Sequence, residues 1–178
     1  MALYGNPQVT GKEITFAENE IIVSKTDLTG KITYGNRLFY KIAGYAEKDC
    51  IGTQHNLVRH PAMPRAVFQL LWDTLKSDEE IFAYVKNRAK SGDHYWVFAH
   101  VTPSYDISGK QTGYHSNRRV PNRQVVTQHI EPLYKNLLQI EQSAASPKDG
   151  LDASMKAVAD LLTKNKLSFN EFMFSLGV

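Results

Sequence analysis

Two turn-forming clusters, Lys90-Ser91-Gly92-Asp93 and Asp106-Ile107-Ser108-Gly109, divide residues 81–119 into three β-runs joined by loops of hairpin length. The runs IFAYVKNR (81–88), HYWVFAHVTP (94–103) and QTGYHSNRR (111–119) are spaced so closely that they can pair only as an antiparallel meander. A second hairpin precedes them. IIVSKTD (21–27) and KITYGN (31–36) flank Asp27-Leu28-Thr29-Gly30, another turn cluster. Between the two strand groups, Asn36 is placed to cap a short helix over RLFYKIAGY, with Leu38, Phe39 and Ile42 at helical spacing and Gly44 as the stop. AEKDCIGTQHNLVRHP (46–61) lacks a sustained period and predicts one or two single-turn helices. From Pro64, PRAVFQLLWDTLK carries Val67, Leu71 and Leu75 on one stripe with Phe68 and Trp72 beside it, an amphipathic helix. The order is α+β: a five-stranded antiparallel sheet with short helices on one face and a cleft between the two layers.

The remaining length sets the domain plan. A chain of 178 residues, 42% of them hydrophobic, fits one domain with an extension. Residues 1–19 are polar and marked by Gly and Pro, and are expected to form a mobile cap. Residues 20–121 are the expected core domain, and 122–178 a helical extension. In the extension, Val126, Ile130, Leu133, Leu137 and Ile140 make a two-heptad apolar seam, interrupted at Pro132, that suits a homodimer contact through 122–142. SAASPKDG (143–150) is read as a linker. Leu151, Met155, Val158 and Leu162 then stripe a last long helix, and the Phe-rich end LSFNEFMFSLGV is expected to dock on its own domain or on a partner.

Charge and motif content exclude several functions. The net charge of +3 is spread without a basic block, so nucleic acid is not an expected partner. No apolar stretch approaches the roughly 20 residues of a membrane span, and the start MALYGNPQ is unlike a signal peptide, so the chain is expected to be cytoplasmic and not membrane-inserted. Cys50 is the single cysteine, which leaves neither an internal disulfide nor a CxxC metal knuckle. No nucleophile elbow, phosphate loop or dinucleotide fingerprint occurs, so no enzyme is expected.

Polar residues break the apolar pattern at two places. Ile81, Ala83 and Val85 share one face of their strand, and Asn87 continues the row; a buried amide there is either bonded to local backbone or aimed at a ligand. On the next strand Tyr95, Val97, Ala99 and Val101 share one face, and His94, Trp96, Phe98 and His100 the other. One face is expected to meet the helices and cleft, the other the N-terminal cap or the C-terminal helix. The segment Gln54–Pro61 gathers His55, Asn56, Arg59 and His60. Its histidines lack a third metal ligand at helical spacing, whereas Arg59 offers a donor fork for phosphate or carboxylate; local capping and cofactor binding both fit.

Taken in order, Thr26–Asn36, His55-Asn-Leu-Val-Arg-His-Pro61 with Met63-Pro64, Trp72, Val85-Lys-Asn-Arg88 and Gly92-Asp-His-Tyr-Trp-Val97 closely resemble the PAS domain of the bacterial aerotaxis-receptor family. The likeness runs over about residues 20–135 and includes Glu131-Pro-Leu-Tyr-Lys135. It implies a PAS fold and a redox or energy sensor of chemotaxis signal transduction that holds FAD noncovalently, in preference to FMN or haem. By position it carries flavin contacts to Asn36, Arg59 and His60 and pocket or near-pocket places to Trp72, Asn87 and Trp96; Asn56, from the same polar segment as Arg59, is counted as a further cofactor contact. Asn87 would serve the pyrimidine edge of the flavin, Arg59 and His60 its diphosphate or reduced ring, and an indole would stack on the ring system. Two positions depart from the family pattern: Ala62 stands where an Asp is usual, and Ile81-Phe82 where a Trp is usual.

The chain is expected to be complete at Val178 and therefore to signal to a separate methyl-accepting chemotaxis-type transducer or other signalling protein. Two rival readings are a cofactor-free PAS dimerisation module and a b-type haem sensor with His60 or His94 as axial ligand.

Overall fold

The computed structural model describes residues 5–177. β1 (Ile22–Asp27), β2 (Ile32–Gly35), β3 (Ile81–Arg88), β4 (His94–Tyr105) and β5 (Gln111–Arg119) form one antiparallel sheet in the order β2-β1-β5-β4-β3. The two hairpins thus join through β1 and β5, with Ser24 opposite Ser116 and Thr26 opposite Tyr114. Two of the turns share one chemistry. Asp27 Oδ1 accepts from the backbone N–H groups of Thr29 and Lys31, and Asp106 Oδ1 does the same for Ser108 and Lys110. Gly30 and Gly109 follow at φ +80° and +81°, a backbone region that side-chain-bearing residues avoid.

One face of the sheet receives α1 (Arg37–Ala43), α2 (Glu47–Cys50), a 3₁₀ turn at His55–Val58 and α3 (Arg65–Lys76). The sequence reading of these elements and of their punctuation holds, including the left-handed Gly44 that ends α1. The extension comprises α4 (Arg123–Val125), a π-helical turn at Val126–Ile130, α5 (Glu131–Ser143), α6 (Pro147–Asn165) and α7 (Phe169–Ser175); α5 and α7 reach the opposite face of the sheet, while α6 packs on α5 and on α3. Pro132 falls in the first turn of α5, where its missing N–H costs nothing, and the π turn ahead of it makes the restart.

Strand parity explains the layering. Phe82, Trp96 and Phe98 point to the extension, where Phe174 meets Phe82 and Phe98 at ring distances of 4.7 and 5.8 Å. Tyr134, 2% exposed, lies 6.2 Å from Trp96 and donates through its hydroxyl to the Tyr84 carbonyl at 2.6 Å. The Phe-rich tail therefore docks on its own sheet. Asn170 fastens it by accepting from Phe82 N–H and donating to the Glu80 carbonyl, which supplies part of the hydrogen bonding that edge strand β3 lacks.

Three expectations need correction. The seam expected to serve a homodimer turns inward: Val126 and Ile130 are fully buried and Leu137 is 1% exposed within the chain's own core. The loop between α5 and α6 spans only 144–146, because Pro147 and Asp149 begin a helix behind the Ser146 cap. The described part of the N-terminal cap is not loose. Thr10 N–H donates to Gly92 O, His94 N–H to Lys12 O and Ile14 N–H to His94 O, at 2.7–3.0 Å. Residues 1–4 of that cap, and residue 178 of the extension, lie outside the described residues.

Candidate cofactor site

Between the sheet and α3 lies a cavity of about 200 Å³. Its walls are apolar: Val58, Phe68, Leu71 and Leu75 on the helical side, Val85 and Val101 on the sheet. Trp72 closes one end, edge-on to Tyr114 at 5.4 Å and packed beside Gly30. This volume suits a fused ring rather than a whole dinucleotide, since pockets that enclose drug-sized ligands run to roughly 300–1,000 Å³.

Four of the seven expected residues line the cavity: Asn56, Arg59, Trp72 and Asn87. Asn56 is the exposed residue of the 3₁₀ turn at His55–Val58. Arg59 follows it, donating to Met63 O at 3.1 Å with its guanidinium 4.5 Å over the Phe68 ring, which fixes the fork at the cavity wall. Arg59 also meets β3 in a backbone bridge to Asn87. Asn87 itself is 4% exposed, and its amide has no hydrogen-bond partner among the described residues.

The other three do not line it. Asn36 is the cap of α1, accepting from Phe39 and Val23 N–H and donating to Ile21 O. Its amide is thereby committed to tying α1 to β1. His60 turns away to the outer side of β3, with its ring 5.8 Å from that of His94, and accepts at Nδ1 from Ala62 N–H. Burial, reinforced by Lys86, His94 and Arg88, pushes it down to about 4, so it is neutral at physiological pH and no cation for a diphosphate. Trp96 is on the far face against Tyr134, because neighbouring strand positions point oppositely and Val97 is the one that shares the side of Val85. Phe82, one of the two residues where the family carries a Trp, is likewise on the far face, stacked on His100 at 4.2 Å. His94 does not line the cavity either, so neither histidine of the haem reading is placed to hold an iron within it.

A polar cluster on β1 and β5 also lines the cavity. Arg118, 6% exposed, donates through Nη2 to Ser24 Oγ at 2.8 Å and His55 Nε2 at 2.9 Å, and Ser24 Oγ lies 2.9 Å from the same nitrogen. This geometry needs an unprotonated Nε2, and desolvation with Arg118 alongside pushes His55 down to about 3. Burial lowers Arg118 to about 10, which still leaves it a cation. Beside it the hydroxyls of Ser116 and Thr26 are buried without partners. The signal for these residues was the parity of QTGYHSNRR: Tyr114, Ser116 and Arg118 alternate onto the face that pairing with β4 turns inward. Among the described residues no group of three acidic, His or Cys side chains is set to hold a metal ion.

Such a cavity, apolar on its broad walls and polar at its ends with buried groups unpaired, fits a planar heteroaromatic ring such as a flavin's. The comparisons with known proteins agree on the family. Residues 32–118 match the PAS fold family. The chain is 42% identical over 133 residues, 74% of its length, to the aerotaxis receptor of Escherichia coli (strain K12). It is 27% identical over 99 residues, 56% of its length, to a nitrogen fixation regulatory protein of Klebsiella pneumoniae. It spans only 26% and 20% of those two relatives. Among solved structures, a light-oxygen-voltage domain studied with a flavin analogue superposes with a TM-score of 0.55 at 15% identity, over 65% of this chain and 87% of that one. A PAS domain from Colwellia psychrerythraea gives 0.52 at 19% identity, over 57% of this chain and 86% of its own. Sheet order, helical layer and sequence likeness agree: the segment built on this sheet is a PAS domain of the aerotaxis-receptor type.

Proposed function

We propose that this chain is a flavin-binding redox or energy sensor that works in the cytoplasm and passes its state to a chemotaxis-type transducer or another signalling protein. The observation that supports it most is Asn87, a buried amide at the end of an apolar strand row, facing a ring-sized cavity with its hydrogen-bonding capacity unspent. Likeness to an aerotaxis receptor over 74% of the chain supports the sensory role.

A bound flavin supplies reversible electron transfer. The chain's residues do the rest: Asn87 presents donor and acceptor to the ring edge, Trp72 and Phe68 cover the ring from water, and Arg59 stands at the wall toward the dinucleotide tail, favouring FAD. Two links carry a change in the cavity outward. Tyr134 holds the Tyr84 carbonyl, next to the cavity residue Val85 on the strand that also carries Asn87. Glu141 of α5 accepts from the first amides of cavity helix α3, Arg65 and Ala66, at 3.0 and 2.9 Å. A shift of β3 or α3 therefore pulls on the extension, which is where the signal would leave.

Titrating wild type and an Asn87→Ala variant with FAD tests the reading. The variant is expected to unfold at the wild-type temperature, since no internal hydrogen bond is lost, yet to bind FAD about 5- to 10-fold more weakly. Equal affinity in both proteins would contradict the assignment.

A further inference from the structure

Arg118 is unusual in a way that the flavin reading does not require. It is a cation buried beneath the sheet, and both of its hydrogen-bond partners, Ser24 and neutral His55, are uncharged. Among the described residues no carboxylate pairs with it. A buried charge without a counter-charge is costly, and it persists where hydrogen bonds and a ligand offset the lost hydration. Only Nη2 is engaged; Nε and Nη1 make no hydrogen bond among the described residues. The neighbouring Ser116 hydroxyl, on the same strand face, is buried without a partner too. Arg118 stands opposite Ala99 on β4, and Asn87 opposite Tyr95, so the two are separated by four residues along the strands and two strands across the sheet, roughly 16 Å apart between Cα positions by strand rise and spacing.

From this placement we infer that Arg118 and Ser116 form a second recognition point that grips an electron-rich acceptor edge of the bound ring, on a part of the cavity lining apart from Asn87. The inference rests on the flavin reading and adds residues to it. Ser24 and His55 are positioning residues: they hold the guanidinium plane so that its free donors face the cavity, and they can do so only while His55 is uncharged. The unspent donors belong to the ring and not to a phosphate, because Arg118 is only 6% exposed, with its guanidinium 5.9 Å from the Phe39 ring. A phosphate tail is better served by two other lining residues, Asn56, which is exposed, and Arg59, which is half-buried.

The test compares riboflavin, which has the ring but no phosphate, with FAD on wild type, Ser116→Ala and Arg118→Lys. Ser116→Ala breaks no internal hydrogen bond, so its thermal midpoint should match wild type while affinity falls about 3- to 10-fold. Arg118→Lys keeps the charge without the fork and should lose about 10-fold or more. In each variant the loss should be the same for riboflavin and FAD. A loss seen with FAD but not riboflavin would mean that the cluster holds a phosphate, and would overturn the inference. Unchanged affinity in Ser116→Ala, whose fold is not at risk, would overturn it as well. If wild type binds neither flavin, this inference and the flavin reading fall together, an outcome distinct from the other two.

Discussion

At the scale of single residues, the cavity is governed by which polar groups are spent and which are not. Asn36 and Asn87 are the same residue type at the end of a β-run, yet one spends its amide on a helix cap and the other keeps it for the cavity. The second case was visible in the sequence as a break in an apolar row. The first was visible as a cap, and the family resemblance gave it a ligand role as well; its three hydrogen bonds spend both acceptor positions and one of the two N–H donors on Val23, Phe39 and Ile21, away from the cavity lining. Trp96 repeats the lesson: alternation along HYWVFAHV already put it on the side of Phe98, away from Val97. His55 was noted only as one of two histidines in an irregular stretch, because its meaning comes from Arg118, which lies 63 residues away. It yields a pH prediction. The ordinary histidine value is 6.5 and the folded value about 3. Between these values the unfolded chain binds a proton that the folded chain refuses, so stability rises with pH and is lost on acidification below about 6.5. By pH 5 His55 should account for a loss of about 1–2 kcal/mol, and His60 acts in the same direction. Urea midpoints at pH 7 and pH 5 check this, with a His55→Gln variant expected to show a shallower dependence.

At the scale of elements, the hairpins and helices were legible because their punctuation is local. Asp-x-Thr/Ser-Gly-Lys turns, Asn36 and Gly44 act through neighbours within four residues. The start of α3 at Pro64 was legible, but what caps it was not. Pro64 offers it no side-chain cap, and the missing acceptor is Glu141, 75 or 76 residues away. The Glu141 carboxylate, 3% exposed, also benefits from the positive end of the helix dipole. Gly150 lets α6 approach this point, since a side-chain carbon there would come within 2.4 Å of the Glu141 carbonyl. Glu141→Ala should therefore strand the buried N–H of Ala66 and the partly buried one of Arg65, and lower stability by about 2–4 kcal/mol, measured by thermal or urea unfolding. If the extension reads the cavity through α3, the same variant should also weaken FAD binding.

At the scale of the molecule, one sheet serves two purposes. Its inner face builds the cavity, and its outer face carries the extension through Trp96, Phe98 and Tyr134. The α+β class and the strand order along the chain were legible from periodicity and turns, and the docking of the Phe-rich tail from its apolar crowding, though not whether it meets its own domain or a partner. The burial of the Val126–Leu137 seam was not, because an apolar stripe at heptad spacing reads the same whether it meets a second copy or its own sheet. No helix among the described residues is long and apolar enough to cross a membrane. The central claim is that the cavity between sheet and α3 holds a flavin, and the most direct measurement is the visible absorption spectrum of the protein after mild purification and again after reconstitution with FAD. The account predicts flavin bands that stay with the protein through gel filtration and disappear on reduction. Protein that remains colourless after reconstitution would contradict it.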